Sequence, residues 1–341
     1  MPTPTMKDVA DYAGVSTFTV SRALRGLDQV SEQTRAKVLD AAKKLNYSLS
    51  KSASSLASGK TNRISLLVRE RISGWFIGQL EEGLYDVLQD SNYDLIIYRA
   101  ANQKEREGFF IHLPAKRNSD ALIISGFNPT ESERDSLLDF HIPIVSVNSA
   151  ETIYCDANIS IDDYQAEFSA VQYLAALGHK RFCFIDRNET LIGTGWAKNP
   201  RREGYLAAVM ELDAIDCGVF AMDVNSHDSI AATAAQILSL PTKPTAICTW
   251  SDSYALCLIS ELSKFGVSIP TDFSIMGFDG SDIANYAQIS TVTQPARLLG
   301  QKSGEVALTL INQDPLEKST IHIPTQITPK ATTKRLGGGC S

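Results

Sequence analysis

At 341 residues, 43% of them hydrophobic, the chain is long enough for two or three folding units around a large buried core. No run approaches the length of an apolar bilayer span. The opening Met1-Pro2-Thr3-Pro4-Thr5-Met6-Lys7-Asp8 lacks the apolar region of a secretory signal, which argues against membrane residence and for a cytoplasmic protein. The net charge of −7 is unevenly divided, because residues 1–60 hold nine Lys or Arg against five Asp or Glu, a net +4 that leaves −11 on the remainder.

The first predicted helix contains Val9, Ala10 and Ala13 at helical spacing, and Gly14 supplies a residue that tolerates positive φ where the helix must stop. Ser16 can accept from the free N–H groups of a following helix, so a second helix is predicted from Thr17. On it Val20, Ala23 and Leu24 face inward. Thr17, Phe18 and Arg22 point away and, with Ser16, Thr19 and Ser21, are candidates for DNA contact. Ser31 caps a third predicted helix whose Val38, Leu39, Ala42 and Leu45 form its apolar stripe. Three such helices also describe a small bundle that touches no nucleic acid. The basic charge concentrated on this segment favours DNA.

Leu56 stands in Leu56-Ala57-Ser58-Gly59-Lys60-Thr61, an otherwise polar stretch too poor in apolar residues to make a core. A leucine there needs an external apolar surface, which DNA provides when a side chain is wedged between base steps in the minor groove. The ordered run Asp8-Val9-Ala10, Ala13-Gly14-Val15-Ser16, Thr19-Val20-Ser21-Arg22, Leu45-Asn46-Tyr47 and Leu56-Ala57-Ser58-Gly59-Lys60-Thr61 resembles the LacI/GalR (lactose-repressor) family of bacterial transcription regulators. That resemblance extends through almost the whole chain. It implies a homodimer on a pseudo-palindromic double-stranded DNA operator, with recognition helices in the major groove, Tyr47 at the DNA, and paired hinge helices placing Leu56 and Ala57 in the minor groove. The chain departs from the family pattern at two places. Ser48, Leu49 and Ser50 stand where the family often has a proline and an asparagine, leaving Ser50 or Ser52 as substitute hinge caps. Phe18 occupies a position more often polar; its ring suits a thymine methyl, the alternative being that it packs back onto the first helix.

Beyond Lys60 the pattern changes to short continuous apolar runs alternating with amphipathic segments, as in parallel sheets covered on both faces. Strands are predicted at 64–68, 95–98, 121–124 and 144–147, with helices at 79–89 and 133–140. A second series has strands at 182–185, 219–224, 246–249 and 274–276, separated by helices near 164–177, 202–211, 229–238 and 254–265. A helix near 297–311 and a segment at 321–327 follow Thr291-Val292-Thr293-Gln294-Pro295. The fold class expected is an N-terminal all-α helix-turn-helix headpiece plus an α/β two-lobe, periplasmic-binding-protein-like core with doubly wound parallel sheets. The expected division is a headpiece at 1–49, a hinge helix and linker at 50–61, a two-lobe effector-binding and dimerisation domain at 62–336, and a flexible tail at 337–341. The N-lobe takes about 62–160 and 293–322 and the C-lobe about 161–292 and 323–336, since the family resemblance implies three crossings between lobes.

Ligands of open α/β sheets bind beyond the carboxyl ends of the strands. Trp75 and Phe76 lie in the loop expected after the first strand, Asn148 follows the fourth, Trp250 and Ser251 follow 246–249, and Asp279 follows 274–276. The resemblance adds Arg201 as the family's effector-binding arginine and Gln294 as a crossover glutamine, and it also places Asn148, Ser251 and Asp279 at effector positions. Together these groups suit a polyhydroxylated neutral ligand, with donors from Arg201, acceptors from Asp279, and an aromatic ring over an apolar sugar face. A carbohydrate effector is the first expectation. Sugar phosphates and nucleobases are the alternatives, and a further basic residue in the cleft, Arg69 or Arg71, would favour a phosphate. Arg202 reads as a solvated surface charge.

No catalytic motif is present, the histidines are dispersed, and the six cysteines lack metal-ligand spacing, so neither an enzyme nor a metal or cofactor is expected and the thiols are read as reduced. The expected mechanism is repression, or else activation, of transcription, in which effector closes the cleft and changes the hinge's ability to fold on DNA.

Overall fold

The computed structural model describes residues 4–47, 60–69, 71–112, 118–126, 128–149, 152–188 and 199–336, in two compact units divided between Asn62 and Arg63. The N-terminal unit has three helices, α1 (Met6–Ala13), α2 (Thr17–Leu24) and α3 (Glu32–Lys44). Thr5 and Asp8 cap α1 reciprocally: Thr5 N donates to Asp8 Oδ2 at 2.7 Å, and Asp8 N donates to Thr5 Oγ1 at 3.4 Å. Gly14, at φ +66°, ends that helix in the left-handed region. Val9, Val20, Val38, Ala41 and Ala42 are buried at the centre. Leu39, expected on the apolar stripe of α3, is instead exposed, and Ala41 takes the inward place. Positions 38, 41, 42 and 45 share one helical face, whereas 39 is turned about 100° from 38.

The second unit holds two six-stranded sheets. The first comprises β1 (Arg63–Val68), β2 (Asp94–Arg99), β3 (Ala121–Ser125), β4 (Ile144–Val147), β5 (Ala157–Ser160) and β11 (Thr320–His322), in the order β11-β5-β4-β3-β1-β2 and parallel throughout. The second comprises β6 (Arg181–Arg187), β7 (Ile215–Met222), β8 (Ala246–Thr249), β9 (Ser274–Asp279), β10 (Ser290–Thr293) and β12 (Gln326–Thr328), in the order β12-β10-β9-β8-β6-β7, with only edge β12 antiparallel. The helices are α4 (Trp75–Leu88), α5 (Gln103–His112), α6 (Glu131–Leu138), α7 (Asp163–Ala176), α8 (Pro200–Glu211), α9 (His227–Ser239), α10 (Asp252–Lys264), α11 (Asp282–Tyr286) and α12 (Ala296–Ile311). The chain passes from the first sheet to the second after β5, returns after β10 to lay α12 on α4, and passes again between β11 and β12.

Several elements differ from the sequence expectation. Trp75 and Phe76 open α4 rather than lying in a loop. The segment 321–327 is divided between β11 and β12, which belong to different sheets. Strand β5 and helices α5 and α11 were not anticipated, and β7 begins at Ile215, four residues earlier than expected. At that sheet edge Ile215 and Asp216 are exposed, and Gly218 at φ +124° sits where the register with β6 shifts, so no continuous apolar run marks the strand.

Two helix pairs fix the lobes. A Cβ on Gly83 of α4 would collide with the Arg297 carbonyl of α12, and one on Gly300 with the Leu80 carbonyl. In the other lobe Gly204 of α8 meets the Tyr164 carbonyl of α7 in the same way. Both contacts are backbone against helix, so neither can yield by rotating a side chain. Arg297 also reaches across to Asp86, its Nε donating to Oδ2 at 2.7 Å and its Nη2 to Oδ1 at 2.8 Å. Gly83→Ala is expected to destabilise the protein by about 1–3 kcal/mol or more through overpacking. Gly108→Ala on α5, where nothing lies within 4 Å, is expected to stabilise it by about 0.5–1 kcal/mol. Urea unfolding of the two variants checks this, and equal effects would refute the close-approach account.

Candidate functional site

In the headpiece, α2 presents the residues read from the sequence as DNA contacts. Ser16 is its N-cap: Thr19 N donates to Ser16 Oγ at 3.1 Å, and the two hydroxyl oxygens lie 2.9 Å apart. Thr17 and Phe18 follow on the first turn, both exposed. The Phe18 ring is 69% exposed, so it does not pack back onto α1, and the Arg22 guanidinium lies 5.5 Å from its centre. Arg22 is anchored, with Nε and Nη2 donating to the Asp28 carbonyl at 3.1 and 2.7 Å. Thr19 and Ser21 are half-buried on the same helix, and Tyr47 packs against the headpiece core. Leu56 and Ala57, with the proposed caps Ser50 and Ser52, lie outside the described residues.

In the second unit the carboxyl ends of both sheets face a cleft of 960 Å³. Trp75, Phe76, Asn148, Arg201, Trp250, Ser251, Asp279 and Gln294 all line it, so tertiary structure brings the eight together. Arg201 is the buried centre of the C-lobe wall. Its Nε donates to Asp163 Oδ1 at 2.7 Å and its Nη1 to the Trp250 carbonyl at 2.7 Å, with Asp279 Oδ1 3.9 Å away. The guanidinium lies over the Phe278 and Trp250 rings at 3.6 and 4.6 Å. Burial alone would lower its pKa, but Asp163 and Asp279 hold it above its ordinary value.

Asp279 closes the next link. Gln294 Nε2 donates to its Oδ1 at 2.7 Å, while the buried Gln294 Oε1 has no partner among the described residues. Asn148, at φ +51°, spends its Oδ1 on Ile161 N at 3.1 Å and thereby fixes the first crossover. Arg187 sits 4.0 Å from the centre of the Trp250 ring, so that indole meets the guanidinium groups of both Arg187 and Arg201. Arg71 lines the cleft and Arg69 does not. Arg202 is not simply solvated, since its Nη1 lies 3.5 Å from the buried Asp186 carboxylate.

Behind this wall Glu167 is fully buried, with the Cys248 thiol as its hydrogen-bond partner and its Oε1 unpartnered among the described residues. Burial pushes its pKa up to about 8, against the opposing pull of Cys248 and Arg201. Asp252, also buried, accepts from Ser281 N and Oγ at 2.8 Å and from Thr291 Oγ1 at 2.6 Å, joining the start of α10 to the chain after β9 and to β10. Among the described residues no group of three His, Cys, Asp or Glu is placed to hold a metal ion, and no helix is long and apolar enough to cross a membrane.

Comparison with known proteins places this architecture. The lacI family of bacterial regulatory proteins matches residues 5–50, and a periplasmic binding protein-like domain matches residues 171–333. The transcriptional repressor PurR of Vibrio atlanticus is 30% identical over 338 residues, which are 97% of this chain and 99% of that protein. The chain belongs to the LacI family of bacterial regulatory proteins. Among solved structures, the Lac repressor dimer bound to operator and the anti-inducer ONPF is similar with a TM-score of 0.84 at 22% identity, over 98% of this chain and 100% of that one. The regulator CelR in complex with cellobiose gives a TM-score of 0.69 at 22% identity, over 97% and 100%. Both share the fold of this LacI-family chain.

Within this LacI-family frame, sequence reasoning missed Asp163, Arg187, Ser125 and His322 of the cleft lining. Arg187 ends β6 and Ser125 ends β3, so the carboxyl-end rule was enough to find them. Asp163 and His322 become neighbours of the cleft only through the crossovers, which carry no local signal.

The Glu167 shift gives a stability prediction. The folded carboxyl binds its proton up to about pH 8, whereas the unfolded one releases it near pH 4.5, so its contribution to stability falls as pH rises from about 4.5 to 8. Relative to Glu167→Gln, the wild-type protein should lose up to about 1.4 kcal/mol per pH unit in that window. Denaturant melts at pH 5, 6.5 and 8 measure this. Parallel profiles for the two proteins would show that Glu167 titrates normally.

Proposed function

We propose that this transcriptional repressor binds a pseudo-palindromic operator as a homodimer in the cytoplasm, reading bases with α2, and that a carbohydrate held in the cleft sets its operator affinity. The reading needs no catalytic step. The observation that carries it is the polar chain Asp163–Arg201–Asp279–Gln294, which brings a guanidinium, carboxylate acceptors and Gln294, with its Oε1 unpartnered among the described residues, to the lining of one cavity. Adjacent hydroxyl groups of a sugar match such alternating donors and acceptors, and Trp75 and Phe76 supply apolar surface on the facing wall. The bound cellobiose of CelR shows that a chain of this fold accommodates a disaccharide.

In the headpiece, the exposed Phe18 supplies apolar contact suited to a thymine methyl, beside the hydroxyl of Thr17 and with Thr19 and Ser21 on the same helix. Leu56 and Ala57 are proposed as the minor-groove contacts, through a wedge that kinks the duplex. The net +4 of residues 1–60 supplies the sequence-independent attraction to phosphates.

Fluorescence anisotropy with a selected operator tests both halves. Phe18→Ala and Leu56→Ala are each expected to weaken operator binding by about 1–3 kcal/mol while leaving sugar binding unchanged. A bound effector is expected to change wild-type affinity by about 5- to 150-fold. Arg201→Gln should abolish that response without lowering affinity for DNA in the effector-free state. Undiminished operator binding by both headpiece variants, or a sugar response that survives Arg201→Gln, would overturn the corresponding assignment.

A further inference from the structure

Among the described lining residues the cleft has three carboxylates: Asp162 and Asp163 where the chain passes from β5 into α7, and Asp279 at the end of β9. Asp163 and Asp279 already serve Arg201, and Asp162 Oδ1 accepts from Gln165 N at 2.9 Å as the cap of α7. The first-sheet wall instead carries Arg71, exposed and facing the cavity.

Beside Arg71, the 14-residue helix α4 points its N-terminus at the same space. Gly74 is its N-cap, no side chain caps it, and Gly78 N is the first amide to bond back, to the Gly74 carbonyl at 2.9 Å. The amides of the first turn and the helix dipole together favour negative charge there. An independent observation points to a ligand. Ser125 is 98% buried, it is one of the residues that line the cleft, and its buried Oγ has no partner among the described residues. It pairs in register with Val68, so it ends β3 next to the strand that leads into Arg71 and α4. A buried hydroxyl left without a partner costs free energy unless a bound group satisfies it.

We infer that Arg71, the first-turn amides of α4 and Ser125 Oγ form an anion subsite, and that the carbohydrate effector carries a phosphoryl or carboxylate group at that end. The proposal rests on the cleft reading above and sharpens it: hydroxyl groups meet Arg201, Asp279 and Gln294, and the anionic substituent meets the first-sheet wall. Arg71 supplies a planar fork suited to two oxygens of one tetrahedral or carboxylate group.

Isothermal titration at constant ionic strength tests this with matched probes: glucose and glucose 6-phosphate, ribose and ribose 5-phosphate, gluconate, glucuronate and inorganic phosphate. A phosphorylated or acidic member of the panel is expected to bind at least about tenfold more tightly than its neutral partner. Arg71→Gln should remove that advantage and leave neutral-sugar affinity within about twofold. Ser125→Ala should reduce the advantage, and both variants keep wild-type melting temperatures in the absence of ligand. Preference for phosphates over uronic acids, or the reverse, identifies the substituent. If a neutral sugar binds as tightly as its charged form in an Arg201-dependent way, the anion subsite is wrong and the carbohydrate reading stands. If no sugar of either kind binds, the carbohydrate reading fails. The inorganic phosphate titration then decides the subsite alone: saturable binding lost in Arg71→Gln supports it, and its absence overturns it.

Discussion

A guanidinium withdrawn from water has to be paired on every side, and the cleft is organised around meeting that requirement for Arg201. Its Nε goes to Asp163 at the start of α7, its Nη1 to the carbonyl that follows β8, and its π face to Phe278 at the end of β9. Three separate chain segments are thereby held to one group. Asp279 then borrows the same charge and passes the constraint to Gln294 on the crossover that leads back to the other lobe. Withdrawing one partner from such a buried network leaves an uncompensated charge, typically at a cost of about 3–5 kcal/mol. A ligand that contacts this network therefore acts on the crossover as well as on the wall, which gives a physical route from cleft occupancy to lobe geometry.

The lobes can serve as the rigid bodies of such a change because each is fastened by helices in backbone contact. Gly83 and Gly300 allow α4 and α12 to meet in one lobe, and Gly204 allows α7 and α8 to meet in the other. One helix of each pair also brings its first turn to the cavity, α4 with Trp75 and Phe76 and α8 with Arg201. Packing and the lining of the cavity are thus set by the same elements. The buried Asp252 extends this in the second lobe, where its carboxylate accepts from Ser281 N and Oγ on the chain after β9 and from Thr291 Oγ1 on β10, holding both to the start of α10.

The two halves of the cavity divide the chemistry. The second-sheet wall balances cations and carboxylates at close range, which suits hydroxyl groups that both donate and accept. The first-sheet wall has a cation, an uncapped helix terminus and a buried hydroxyl, which favour acceptor-rich groups. A ligand spanning both walls would be oriented by charge before it was selected by shape.

Local sequence carried much of this. The headpiece was legible because its signals are short-range: Gly14 at a helix end, Ser16 and Ser31 as caps, and apolar residues at helical spacing, each confirmed by a contact within a few residues. The eight cleft residues were legible from the carboxyl ends of predicted strands together with the family resemblance, and all eight converge. What could not be read locally was set by partners distant in the chain. Leu39 was misplaced because a one-residue error on a helix rotates a side chain through about 100°. The separation of β11 from β12 depends on which sheet edge each short strand finds. Asp163 and His322 join the cleft only once the crossovers bring both sheets' ends together, whereas Arg187 and Ser125 stand at the carboxyl ends of β6 and β3. The sequence by itself determined the three headpiece helices and most strands and helices of the core, because those follow from bonds within a few residues. Tertiary structure alone decided which charges face one another, because burial and pairing depend on neighbours as far apart in the chain as Arg297 and Asp86.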